Sequence, residues 1–148
     1  MIKNHQKNIA TFIHLSTFSR FFIPFGNFIG PILLWSFNKN KSEFIDNHGK
    51  EVINFQLSIL LYTIILGIIT IPVFLFNFLN GIDFIDFHGL HDFNIKINKP
   101  SPLLYIGGFL GIFTCLAFIL ELAFIVLASL KAREGEQYQY PITINFLK

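Results

Sequence analysis

The stretch LLYIGGFLGIFTCLAFILELAFIVLASL, residues 103–130, decides the fold: twenty-eight residues with a single charge, Glu121. As an α-helix it would be about 42 Å long, enough to cross a hydrocarbon core of about 30 Å with tilt. Pro100 and Pro102 mark its start, Lys131 and Arg133 suit the negative end of the helix dipole, and Gly135 offers a cap.

Working outward, a second run from Asn54 to Phe78 carries no charge, and Pro72 inside it predicts a kink near Ile68–Pro72. The composition agrees with two spans. Of 148 residues, 53% are hydrophobic and only 14% charged, too few to cover a soluble domain, which is normally about 25% charged. The length suits one domain. A formal charge of +2 gives no reason to expect nucleic acid as a partner. The lone Cys115 lies in an apolar run and reads as a packing residue. Lys3 and Lys7 precede an apolar stretch, but His14, Ser16, Ser19 and Arg20 interrupt it and no small-residue cleavage site follows, so it reads as mature protein.

Residues 9–37 are apolar but broken by Arg20, Pro24, Gly26, Asn27, Gly30 and Pro31. They form either one kinked span or a hairpin, re-entrant or made of two short spans. Charge placement favours the hairpin. It puts Lys3, Lys7, Lys39, Lys41, Lys50, Lys131, Arg133 and Lys148 on one side and leaves Arg20, Lys96 and Lys99 opposite, eight against three, whereas a single span gives six against four. By the positive-inside rule both termini are then cytoplasmic.

The expected architecture is all-α, with helical segments at about 8–20, 25–37, 54–79 and 103–131 arranged as two hairpins, the first short or re-entrant. Residues 42–53 set apolar Phe44, Ile45, Val52 and Ile53 among Glu43, Asp46, Lys50 and Glu51, as in an interfacial amphipathic helix. An outer loop spans 80–102. In the tail, 132–148, Tyr138, Tyr140, Ile142, Ile144 and Phe146 alternate with polar residues, which predicts an extended strand.

Glu121 is the first candidate for chemistry, because an ionisable residue near the bilayer centre costs at least about 2.5 kcal/mol and faces a partner or a wet cavity. With Asn54 and Gln56 it makes a candidate intramembrane polar site, read either as a proton or ion path or as a hydrogen-bonded packing contact. Gly107, Gly111, Thr114 and Ala128 lie on the Glu121 side of the helix as a candidate packing seam. His14 reads as a hydrogen-bonded packing residue, and Arg20 as one that snorkels to the far interface. Asp83, Asp86, His88, His91 and Asp92 have metal-ligating side chains, but their spacing matches no established site, so no metal is assigned. No nucleotide loop, Cys-x-x-Cys or nucleophile elbow occurs, so neither an enzyme nor a cofactor is expected.

Three stretches together resemble the Tic-twenty-like family of small bacterial membrane proteins. They are Ile9–Leu15 with Gly30-Pro31 and Leu33–Trp35, then Asp46–Glu51 leading into Asn54–Gln56, and finally Lys131–Glu136 with Tyr140–Ile144. The resemblance implies a four-helix architecture and, by analogy with the chloroplast import component, a link to protein translocation. His48, Lys50, Glu51, Arg133, Tyr138 and Tyr140 form a candidate cytoplasmic docking surface. The expectation is a multi-pass protein of the bacterial cytoplasmic (inner) membrane, an accessory or interaction subunit whose partners are lipid, other membrane subunits or itself. The alternative is a homo-oligomeric transporter or channel-like protein using Glu121.

Overall fold

Gln6 reaches back to accept the Lys3 backbone N–H at 3.0 Å and opens α1, Asn4–Leu15, in the computed structural model, which describes residues 2–81 and 102–148. Beyond it the hydroxyls of Ser16, Thr17 and Ser19 donate to carbonyls three residues back, at 2.6–2.8 Å. That local competition for backbone acceptors tightens the chain into a 3-10 turn, Ser16–Phe21. Phe25 then adopts φ +59°, a left-handed conformation uncommon for a bulky residue, and the chain reverses into α2, Gly26–Asn38.

The reversal is close-packed because Gly26 and Gly30, four apart, have no side chains. A Cβ at Gly26 would stand 2.4 Å from the Ser19 carbonyl group, and one at Gly30 would stand 2.6 Å from the Ser16 oxygen. This is the small-xxx-small contact by which helices approach in apolar surroundings. A second short 3-10 turn, Lys39–Lys41, leads to α3, Glu43–Gly81, and α4 runs from Pro102 to Glu134.

Two compact units result. One comprises the chain up to Tyr62 together with Ile119–Lys148; the other lies within 63–118. In the first, Ile13 of α1, Ile45, Val52 and Phe55 of α3, Ile125 and Ala128 of α4 and Tyr140 of the tail make one core. Ala10, Phe44 and Ala132 make a smaller one. Trp35 of α2 lies across Gly49 of α3, where any Cβ would collide with the indole, and its Nε1 donates to Asp46 at 2.8 Å. In the second unit, Ile68, Ile69 and Phe74 of α3 and Tyr105, Phe109 and Ile112 of α4 are exposed. Both long helices are long and apolar enough to cross a membrane.

Two sequence expectations change here. The expected interfacial helix at 42–53 and the span at 54–79 are one helix, α3, which also continues past Pro72. Nothing between Ile53 and Asn54 breaks the backbone ladder, and the buried positions Ile45, His48, Val52 and Phe55 keep helical spacing throughout. The expected strand in the tail does not form among the described residues; the chain turns at Pro141–Ile142, where Ile142 has φ +60°. Its backbone is satisfied by side chains on α3 instead. Leu147 exchanges two hydrogen bonds with the Asn54 amide, at 2.8 and 3.0 Å, Ile144 N–H donates to Ser58 at 2.8 Å, and Tyr62 O–H donates to the Ile142 carbonyl at 2.8 Å. Asn54, Ser58 and Tyr62 are spaced one helical turn apart, so they form a stripe that holds an antiparallel chain.

Candidate functional site

Glu121 is 5% exposed, on the buried face of α4 that also carries Ile125, Ala128 and Ala132. Arg20, at the end of the first 3-10 turn, meets it with both guanidinium nitrogens: Nη2 donates to Oε1, and Nη1 to Oε2 at 3.2 Å. Arg20 Nη2 also lies 3.4 Å from Gln56 Oε1, which accepts a 2.8 Å hydrogen bond from Asn27 Nδ2. Residues from the first 3-10 turn, α2, α3 and α4 thus close around one carboxylate. The fork geometry of guanidinium and carboxylate makes this a strong, directional pair.

Of the expected polar site, Glu121 and Gln56 come together through Arg20, while Asn54 serves the tail. Arg20 does not snorkel away, because a carboxylate in apolar surroundings is a better partner than a distant interface. Of the expected seam, Ala128 is buried in the core, whereas Cβ positions on Gly107 and Gly111 meet nothing within 4 Å among the described residues and Thr114 is exposed with its hydroxyl on the Leu110 carbonyl. The Asp83–Asp92 cluster lies outside the described residues. Among those described, no group of three or more metal-ligating side chains occurs.

A second network is wholly buried. Tyr140 Oη lies 2.7 Å from His14 Nδ1, and His14 Nε2 lies 2.8 Å from His48 Nδ1. Two proton arrangements satisfy both contacts: Tyr140 donates to His14 and His14 Nε2–H to His48, or both hydrogen bonds run the other way. Tyr140 also stacks on Phe55 at 4.1 Å between centroids. Burial, helped by the neighbouring Tyr138 and by Glu51 and Glu121, holds the Tyr140 phenol well above its usual pKa. His48 and Tyr140 are therefore core residues and not docking residues; their polar atoms look inward because the amphipathic faces of α3 and the tail close on α1.

The rest of the expected docking surface divides in two. Arg133 is exposed on the last turn of α4. Lys50, Glu51 and Tyr138 line a cleft of about 350 Å³ between the N-terminal part of α3 and the two limbs of the tail. Sequence reasoning missed Asn27 as a member of the Glu121 network and the Arg20 pairing. The usable signal was the count of ionisable residues in apolar segments: one cation and one anion, each otherwise costly.

Fold and site together define a small helical membrane protein whose deepest polar side chains are paired with one another. Over residues 5–147 the chain matches the MamF/MmsF family, described as the magnetosome magnetite crystal formation protein family, and it belongs to that family. Neither a curated protein nor a solved structure matches it. The family match overturns the Tic-twenty-like resemblance, whose short motifs describe a helix start and a helix end that other membrane families also need. The expected link to protein translocation rested on that resemblance and falls with it.

Proposed function

We propose that this protein is an accessory, non-catalytic subunit of the magnetosome membrane that assembles with other membrane proteins, or with further copies of itself, during magnetite crystal formation. The observation that carries the reading is the Arg20–Glu121 pair. The one ionisable residue in the middle of an apolar helix is neutralised internally, which leaves it without the open surroundings that a transport path or a reaction centre needs. The same closure speaks against a channel using Glu121.

On this reading the α1–α2 hairpin is re-entrant. Its turn exposes Phe21, Phe22, Ile23 and Phe25, with Phe22 at 86%, a surface suited to hydrocarbon. Arg20 beside that turn meets Glu121 about 15 Å along α4 from Lys131, roughly mid-bilayer. Lys7 Nζ reaches the Glu134 carbonyl at 2.9 Å, which keeps the basic N-terminus at the basic end of α4. Both termini then face the cytoplasm, in a membrane continuous with or derived from the inner membrane.

Two measurements test the proposal. Purification in mild detergent followed by mass spectrometry should recover co-assembled subunits or a homo-oligomer, and a lone monomer would overturn the subunit reading. Deletion in the host should alter crystal size or number and be rescued by the wild-type chain; unchanged crystals would remove the link to crystal formation.

A further inference from the structure

The cleft between α3 and the tail is a built feature. Asn47, Lys50, Glu51 and Asn54 fall at i, i+3, i+4 and i+7, one polar face of α3, opposite the core face of Ile45, His48, Val52 and Phe55. Such a face ordinarily lies open to water. Here Gln137–Gln139 on the outgoing limb and Asn145, Leu147 and Lys148 on the returning limb wall it in. The Asn54–Leu147 amide pair fixes the returning limb. The volume of about 350 Å³ is within the range of small-molecule sites.

The functional groups left over point to a ligand. The side-chain amides of Asn47, Gln137, Gln139 and Asn145 line the cleft and make no hydrogen bond among the described residues. Glu51 is partly buried, and Lys50 and Lys148 line the same cleft, Lys50 sharing its ammonium with Asp46 at 2.6 Å. A simple anion would meet Glu51, and a simple cation would meet two lysines. A group carrying both signs satisfies all three.

We propose that this cleft binds a phosphorylated primary amine of the phosphoethanolamine type. The ammonium donates to Glu51, the phosphate accepts from Lys148 and Lys50, and the free amides complete both shells. The cleft sits where the charged first turns of α3 give way to the charge-free run, with Trp35 and Lys39 at the same end. Given the orientation proposed above, that is the depth of lipid headgroups. Phosphatidylethanolamine is therefore the source expected there, and free phosphoethanolamine carries the same chemistry.

The test is native mass spectrometry of the full delipidated chain with phosphatidylethanolamine, phosphatidylcholine and phosphatidylglycerol added in turn, and with free phosphoethanolamine as competitor. Phosphatidylethanolamine should be retained at least about tenfold over phosphatidylcholine, whose methylated nitrogen has no N–H, because a hydrogen bond to a charged group is lost. Glu51→Gln, which keeps the shape of the side chain and removes its charge, should abolish that preference while Trp35 emission stays unchanged. Lys148→Ala should weaken phosphatidylethanolamine and phosphatidylglycerol alike. Competition by the free headgroup without any preference among lipids assigns a soluble ligand to the cleft and removes the headgroup depth. Equal retention of all three lipids with no competition overturns the site.

Discussion

Arg20 and Glu121 stand 101 residues apart in sequence, yet they close a two-pronged ion pair, with Nη1 3.2 Å from Oε2, inside the apolar packing of α3 and α4. Removing one partner strands the other charge. Glu121→Gln should lower stability by about 3 kcal/mol, the low end for a broken buried pair because Arg20 is one-fifth exposed. Arg20→Met combined with Glu121→Leu should recover most of that loss. Thermal denaturation in detergent reads both, and a single variant as stable as wild type would show that the pair is hydrated.

Gly26 and Gly30 set how closely the hairpin folds. Gly26→Val would drive a side chain into the Ser19 backbone, 2.4 Å from the Cβ position, with an overpacking cost of about 1–3 kcal/mol or more. Proteolysis at Phe22–Phe25 in detergent should speed up. Among the described residues Gly67→Ala meets only the Ile71 side chain, at 3.7 Å, and should leave stability almost unchanged.

Gly49 and Trp35 offer an optical reporter, since Trp35 is the only tryptophan. Gly49→Ala must push the indole away, which breaks its 2.8 Å hydrogen bond to Asp46. Trp35 emission should shift, and Asp46→Ala should reproduce part of that shift. No shift in either variant would mean that the indole does not occupy this position in solution.

The tail is held by a side-chain stripe, so single substitutions should release it. Asn54→Ala removes two hydrogen bonds to Leu147, worth about 1–3 kcal/mol together. Hydrogen exchange at the amides of Ile144 and Leu147 should accelerate strongly, while helix α4 keeps its protection.

Tyr140 should titrate late. Its phenol is buried, so the folded pKa lies above the unfolded value of about 10. Above that pH the unfolded chain loses the proton first. The unfolded state then binds fewer protons, and stability falls as pH rises; below about pH 10 this group contributes no slope. Ultraviolet titration should show one late-ionising phenol in the wild type that is missing in Tyr140→Phe.

The sequence by itself determined the two long apolar helices and the place of the last of them. Charge-poor runs of bilayer length, prolines before the last span and cations after it are local features, and α4, Pro102–Glu134, covers the last of these runs. The break between Phe21 and Gly26 was legible for the same reason. The merger of 42–53 with the following span needed the tertiary structure, because a polar-to-apolar change in composition does not by itself interrupt a helix. So did every partnership in the two buried networks. His14, Arg20, Glu121 and Tyr140 each announce a cost when read alone, but which group offsets that cost depends on contacts more than a hundred residues apart. The alternation of the tail predicts a strand, and no strand forms there among the described residues. A helix stripe of Asn54, Ser58 and Tyr62 takes the place of a neighbouring strand, since side-chain oxygens and amides at one-turn spacing satisfy the same backbone groups.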